Sequence, residues 1–466
     1  MAATETVAVR RGRVRRARGV LFFAFAFAVM ADPVSSVAYA IEAALRALGG
    51  HLELLVPTMG IVIAIIALVT LNYWQLVRAF PEGGGSPEAA GRAFGEAWSF
   101  LPIGALVVDF ALTIAISVAA AGSALIAYVP SIAPARIPLA LGLVVAVAAL
   151  TWFGHGGRLV FALMTCLFIV AAVATLAIGF TAPHVTHAAA PLTHSASPAL
   201  VAVVLAFPVA MALATGTEAP ATSIAQLGQL GNRGRSLFGR GTLALTIVIV
   251  GGLTMGLTAL AVRLHVGIPG ANETQIANLA HAAAGGGSLY GFFQLSSGLL
   301  LLAAASSSFQ AGPGLLKALA RVRWSDHTGL LPPWLGKTNR HHTPVQAVLV
   351  YAVISAAIIL VARAREQELV LVYAVAVFVS FLAGLLAMAR FSYRRGARVL
   401  AATNLLGAIA VAFTLVVNLA RGYPLLALAG TAMIAGLLYS RWVRAGRPAG
   451  LEEIERHAEE DAPFDT

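Results

Sequence analysis

Charge is what this chain has least of. Only 11% of its 466 residues are Asp, Glu, Lys or Arg, against about 25% in a soluble domain, which excludes an ordinary water-soluble globule. Cysteine is scarcer still. The single Cys166 lies inside an apolar run, so neither a disulfide framework nor a cysteine metal site is available. Short alternating segments, which a membrane β-barrel would require, do not dominate the pattern. No small-residue cleavage site ends the first apolar run, so a removable leader is not expected. What is present is apolar: 59% of residues are hydrophobic, gathered in runs of about 20, the signature of a helical integral membrane protein.

Twelve spans are expected, centred near residues 33, 64, 114, 144, 169, 214, 251, 304, 352, 378, 408 and 431. With the N-terminus placed inside, only Arg46, Arg136, Arg263, Arg363, Arg365 and Arg421 fall outside, and the other 25 of the 31 lysines and arginines fall in cytoplasmic segments. That skew supports an even number of spans, with both termini cytoplasmic, in a multi-pass plasma-membrane protein. The net charge of +11 therefore reads as topology, and no nucleic-acid partner is implied. The chain divides into a basic cytoplasmic N-terminus (1–18), a first five-span block (19–196), a second (197–396), two closing spans (397–442) and an acidic tail (443–466) expected to be disordered. A loop, "TAPHVTHAAAPLTH", carries His184, His187 and His194; a solvated loop is the plainer reading, a metal or pH-sensing role the alternative.

Two spans are interrupted. In the first, "VMADPVSSVAYA" sets Asp32, Pro33, Ser35 and Ser36 between apolar flanks. In the sixth, "ALATGTEAPATS" sets Thr215, Gly216, Thr217, Glu218 and Pro220 at mid-membrane. Both interruptions open a five-span block, and paired interruptions at matching positions of two halves point to a transporter site. Five is odd, so the second block enters from the opposite side and the repeat is inverted. Lipid cannot satisfy an unwound backbone, which is tolerated only where it lines an enclosed cavity. A proline kink for packing is the bland alternative, but it would not require an acid beside each break.

The acids within the spans are Asp32, Asp109, Glu218 and, nearer a helix end, Glu42, with no lysine or arginine at comparable depth. An ionised carboxylate at mid-bilayer costs about 2.5 kcal/mol or more, so the counter-charge falls to the substrate or to a coupled proton. An anionic substrate is disfavoured, and a free amino acid would bring its carboxylate against Asp32. "VDFALTIAIS" places Asp109, Thr113 and Ser117 on one stripe of a helix. Oxygen ligands on one face suit a desolvated monovalent cation; for Thr113, packing between helices by hydrogen bonding is the simpler account. Two patterns mislead. "GLLPPWLGKT" lacks a phosphate loop's first glycine, since position 331 is leucine, and "NET" at 272 matches a glycosylation sequon by pattern only. No nucleophile elbow, metal-ligand spacing or soluble sensor domain is present, so neither an enzyme nor a resident cofactor is expected.

These motifs resemble those of the amino acid–polyamine–organocation superfamily, with its LeuT-like 5+5 inverted repeat. They look most like the KimA-type potassium importers, relatives of the KUP family. "DPVSSVAYA" resembles that group's first-helix break and "TGTEA" its sixth-helix break; "RAFPEGGGSPEAAGRAFGEAW", "DFALTIAIS", "SSSFQAGPGLLKALARVRW" and "VYAVAVFVSF" resemble the segments after span two and in spans three, eight and ten. The resemblance implies an all-α integral membrane fold with helices one and six broken. It implies a secondary transporter importing a monovalent cation, potassium, together with protons by alternating access. The ion would meet Asp32, Tyr39, Ser117, Thr215, Glu218 and Tyr373, and Glu218 or Asp109 would carry the coupling proton. Phe110 stands where the group has tyrosine, which marks a gating or selectivity position. The tail does not resemble the group's C-terminal cytosolic domain, so cyclic-dinucleotide control is not expected. The alternative is a proton-coupled amino acid or polyamine permease of the same superfamily, with Asp32 holding an ammonium group. A passive channel fits the buried carboxylates and broken helices less well. A homodimer is compatible with the sequence.

Overall fold

Apolar length decides most of the architecture. The computed structural model describes residues 18–153, 158–184, 198–321, 323–324, 327–422, 425–450 and 454. The long apolar runs among them are helical, because a backbone in lipid must satisfy its own amides and carbonyls. In chain order the helices are α1 (Arg18–Val29), α2 (Ala31–Ser35), α3 (Val37–Ala47), α4 (Leu55–Ala79), α5 (Gly85–Phe94) and α6 (Phe100–Tyr128). There follow α7 (Arg136–Trp152), α8 (Arg158–Thr181), α9 (Ala199–Ala210), α10 (Ala219–Thr222), α11 (Asn232–Arg263) and α12 (Gln275–Ala284). The remainder are α13 (Ser288–Arg321), α14 (Val345–Val361), α15 (Glu366–Arg394), α16 (Arg398–Ala420) and α17 (Leu425–Arg444). A two-residue hairpin, Arg323–Trp324 antiparallel to His327–Thr328, is the strand structure among the described residues.

Among the described residues, ten helical segments are long and apolar enough to cross a membrane, one of them the interrupted stretch Ala199–Gln226. Two of the twelve expected spans are represented by shorter apolar helices, Arg18–Val29 and Val345–Val361. Each has a local reason. The first span is cut at Met30 and Ser36, so no piece of it is long. α14 starts after Pro344 and is stopped by a turn in which the Ala364 amide donates to Ile359 O at 2.8 Å.

Two 10-residue helices, α5 and α12, connect neighbouring spans. α5 opens at Gly85, which with Gly83 and Gly84 before it lies at positive φ, a conformation glycine adopts without steric penalty. A methyl on Gly83 would also lie 2.8 Å from Ala225 Cβ, so this turn is seated directly on the far end of the sixth-span segment.

Packing follows a paired pattern. α6 lies against α13, α4 against α11 and α7 against α14. α6 touches α7 and α14, as α13 touches α14 and α7; α5 rests on α15, as α12 rests on α8. α16 and α17 pack outside this set, on α4 and α15 and on α6 and α15 respectively. Large apolar side chains such as Val145, Leu150, Leu163, Val248, Leu349 and Met433 face outward, which suits a lipid environment and not water. Residues 1–17, His187 and His194, and residues 451–453 and 455–466 of the acidic tail lie outside the described residues, as does the side chain of Tyr373.

Candidate functional site at the two helix interruptions

The sixth-span segment truly unwinds. After α9 and a 3₁₀ turn over Met211–Ala214, Thr215 adopts φ −58° and ψ 144°, and Gly216 has φ +73° before α10 begins. The freed carbonyls are met locally: the Thr215 hydroxyl donates to Ala212 O at 2.7 Å and the Thr217 hydroxyl to Ala214 O at 2.6 Å. Pro220, near the start of α10, needs no amide partner there.

The first interruption is gentler than an unwound segment. Met30 (φ −72°, ψ −9°) and Ser36 (φ −64°, ψ −22°) keep right-handed helical torsions on either side of α2. The ladder lapses because Pro33 has no amide to offer the carbonyl four residues earlier. Ser35 donates to Asp32 O at 2.7 Å, while the Ser36 hydroxyl donates to Pro33 O at 2.6 Å and reaches Leu213 O at 3.1 Å. That last contact ties the two interruptions together.

They meet at Gly216. A methyl placed there would sit 2.7 Å from Pro33 Cδ and 2.8 Å from the Asp32 carboxyl carbon, so only glycine lets the Asp32 side chain lie against this backbone. The Gly216 amide faces the Glu218 carboxyl, which is itself within electrostatic reach of Asp32. Asp32 Oδ1 and Glu218 Oε2 are enclosed and have no hydrogen-bond partner among the described residues. Tyr39 is 1% exposed; its hydroxyl lies near Thr215 and within electrostatic reach of Asp32. Asp32, Tyr39, Thr215 and Glu218 are therefore brought together.

The other expected residues lie on α6 and α15. Ser117 is fully buried on α6 with its hydroxyl unpartnered among the described residues. Asp109, also buried on α6, is within electrostatic reach of both Tyr39 and Tyr351. Phe110 is partly buried against the core. Tyr373 belongs to α15, with its side chain outside the described set.

Sequence reasoning missed a charged cluster at one end of the bundle. Glu42, 2% exposed, accepts from Arg46 Nε at 2.8 Å and from the Gln275 amide at 2.9 Å, placing a carboxylate at the N-terminus of α12, where a helix favours negative charge. Glu366 accepts from the Ser123 hydroxyl at 2.5 Å, and Ser123 accepts from Arg136 Nη1 at 2.7 Å. Arg136 Nη2 also donates to Ala271 O at 3.2 Å, and Arg46 Nη2 to Pro269 O at 3.4 Å. The two glutamates are within electrostatic reach of each other, and Gln367 donates to Tyr39 O at 3.4 Å. α3, α6, α12 and α15 are thus latched above Tyr39. Lys317, four residues before the end of α13, is likewise only 6% exposed, a burial the sequence did not announce. Hydropathy cannot separate such helix-end charges from interfacial ones.

The bundled spans, two of them interrupted around paired acids, define a membrane transporter. The chain belongs to the amino acid permease family, whose model matches residues 21–439, which makes it a permease and not an enzyme. It is 27% identical over 363 residues to the potassium transporter KimA of Bacillus subtilis (strain 168), an alignment covering 75% of this chain and 58% of that one. The chain thus spans less than two thirds of that relative's length. Two solved mutants of the Eremococcus coleocola manganese transporter share the fold at 12% identity and a TM-score of 0.51, covering 91% and 92% of this chain and 95% of theirs.

Proposed function

We propose that this protein is a proton-coupled secondary transporter that imports a monovalent cation, potassium, across the plasma membrane by alternating access. The observation that carries the proposal is the polarity of the interruption. The hydroxyls of Ser35, Ser36, Thr215 and Thr217 all donate to backbone carbonyls, so what faces the gap between Asp32 and Glu218 is oxygen acting as acceptor. Such a lining favours a cation. A substrate carboxylate would need amide donors, and the Gly216 amide already faces Glu218. Two carboxylates held side by side repel, so the pair is at ease with one cation or one proton between them, and exchange of one for the other is coupling.

In this reading Asp32, Glu218, Tyr39 and Thr215 bind the ion, Ser117 and Tyr373 complete the ligand set, Asp109 or Glu218 carries the proton, and Phe110 shapes the gate. Twelve spans form a LeuT-like 5+5 inverted repeat, with both termini cytoplasmic. The packing supports this: the contacts described above between α4–α8 and α11–α15, and within each group, are matched five spans on, and the connectors α5 and α12 fall at equivalent places. The latch above Tyr39 would then lie outside, closing the external route. Kinship with a potassium transporter supports the choice of ion.

The family's own description favours a second reading, an amino acid or amine permease in which Asp32 holds a substrate ammonium. Rubidium uptake and growth at low potassium, in cells stripped of their own potassium importers, separate the two. Rescue by the parent and its loss in Asp32→Asn and Glu218→Gln are expected. A well-expressed parent that gives no rescue would overturn the cation assignment, and unaltered uptake in both variants would overturn the site.

A further inference from the structure

α14 packs on α6, α7 and α13 but makes no extended contact with α17. Between α14 and α17 the fold leaves a groove of about 850 Å³, backed by Val108 and Leu112 of α6 and walled by Ile354 and Ile358 of α14 and Ile434 of α17. Its lining runs from Leu331 and Leu335, before the start of α14, to Arg363, Arg365 and Glu368 beyond its end. A helix of 17 residues rises about 25 Å, so the groove is apolar for most of a membrane's thickness and charged at one end.

That end is built with some strain. Arg363 and Ala364 have φ +52° and +53°, a left-handed conformation that is disfavoured for a residue with a Cβ. The turn sends the chain into α15 and leaves Arg363 and Arg365 at the mouth of the groove, with Glu368 beside them. All three are exposed, and none makes an ion pair among the described residues.

We propose that this groove is a site for a phospholipid with an ethanolamine headgroup. The acyl chains lie between α14 and α17, the phosphate on Arg363 and Arg365, and the primary ammonium on Glu368. Guanidinium forks match phosphate oxygens, and the single acid supplies the counter-charge that a zwitterionic headgroup needs and a purely anionic one does not. A recess that is apolar along its length and charged at one end has the polarity of a lipid. A second copy of the chain, packing helix on helix, has no need of the charged end.

The test is lipid retention, which is independent of what the protein transports. The full chain is placed in nanodiscs holding equal fractions of phosphatidylethanolamine, phosphatidylglycerol and phosphatidylcholine, extracted in mild detergent and weighed by native mass spectrometry. One phosphatidylethanolamine should remain per chain. Retention should fall about tenfold in R363A/R365A, which removes the phosphate ligands. In E368Q a lipid should remain but without headgroup preference. Ile354→Trp, which fills the groove without touching the charges, should expel the lipid. The proposal is overturned by undiminished retention in R363A/R365A or Ile354→Trp, by preference for phosphatidylglycerol in the parent, or by lipid-free dimers.

Discussion

The residues that made the site legible were the ones that offend their surroundings. Asp32 and Glu218 stand in apolar runs where an acid is expensive, and Gly216 and Pro33 stand where helices should continue. The fold brings Asp32, Pro33 and Gly216 into contact, with Glu218 within electrostatic reach of Asp32. Gly216→Ala should therefore disable the site without emptying the membrane of protein. The added methyl would press on Pro33 and the Asp32 carboxyl at a positive φ, which itself costs about 1–2 kcal/mol. Rubidium uptake should fall at least tenfold at unchanged expression, and normal uptake would mean that the contact with Asp32 is dispensable. Phe110→Tyr restores a hydroxyl to a partly buried position on α6; sodium should then compete less well against rubidium, and an unchanged competition profile would remove Phe110 from the gate. Glu366 and Lys317 were illegible for a reason of position. Each lies at or near the end of a long apolar helix, where a charge normally reaches water, and only tertiary packing buries it.

At the scale of elements, sequence marked where helices break but not how. Pro33 and the Thr215–Gly216 pair looked alike as interruptions, yet the first keeps helical torsions and the second unwinds. The difference lies in glycine: a proline removes one hydrogen bond, whereas a glycine opens a region of torsion space. The connector helices were unseen because 10 residues are too few to span and too mixed to stand out. α12 is held at its first residue by Glu42, and the stretch leading into it by Arg46 and Arg136, so weakening those contacts should free it. With Cys166 replaced by serine and Ala43 by cysteine, a membrane-impermeant thiol reagent should label the protein several-fold faster when Arg136→Ala or Glu42→Gln is added. Equal labelling rates would show that the cluster does not gate access to α3.

For the whole molecule, the places of the apolar helices could be read from hydropathy, because it is a sum over many residues and tolerates local error. Side-by-side packing could not, since lipid-facing and buried faces of these helices are equally apolar. If transport is coupled to protons, proteoliposomes given an alkaline interior should accumulate rubidium more than several-fold above those at equal pH, and a proton ionophore should abolish the difference. Indifference to the gradient would leave a uniporter or channel. Tags at either terminus should be protected from external protease in intact cells; cleavage of one alone would require an odd number of crossings.

The proposed inverted repeat offers a simple picture of transport, in which the halves would trade shapes and the outward state would be the inward one with roles exchanged. The two interruptions make that trade unequal. Residues 20–48 contain no glycine at all, so the first half cannot copy the positive φ of Gly216 without forcing an ordinary residue into it, at about 1–2 kcal/mol. A penalty of that size shifts an equilibrium between two states roughly five- to thirtyfold. The carrier would therefore rest predominantly on one side of the membrane before any ion or gradient acts on it, a preference written by where one glycine is and another is not.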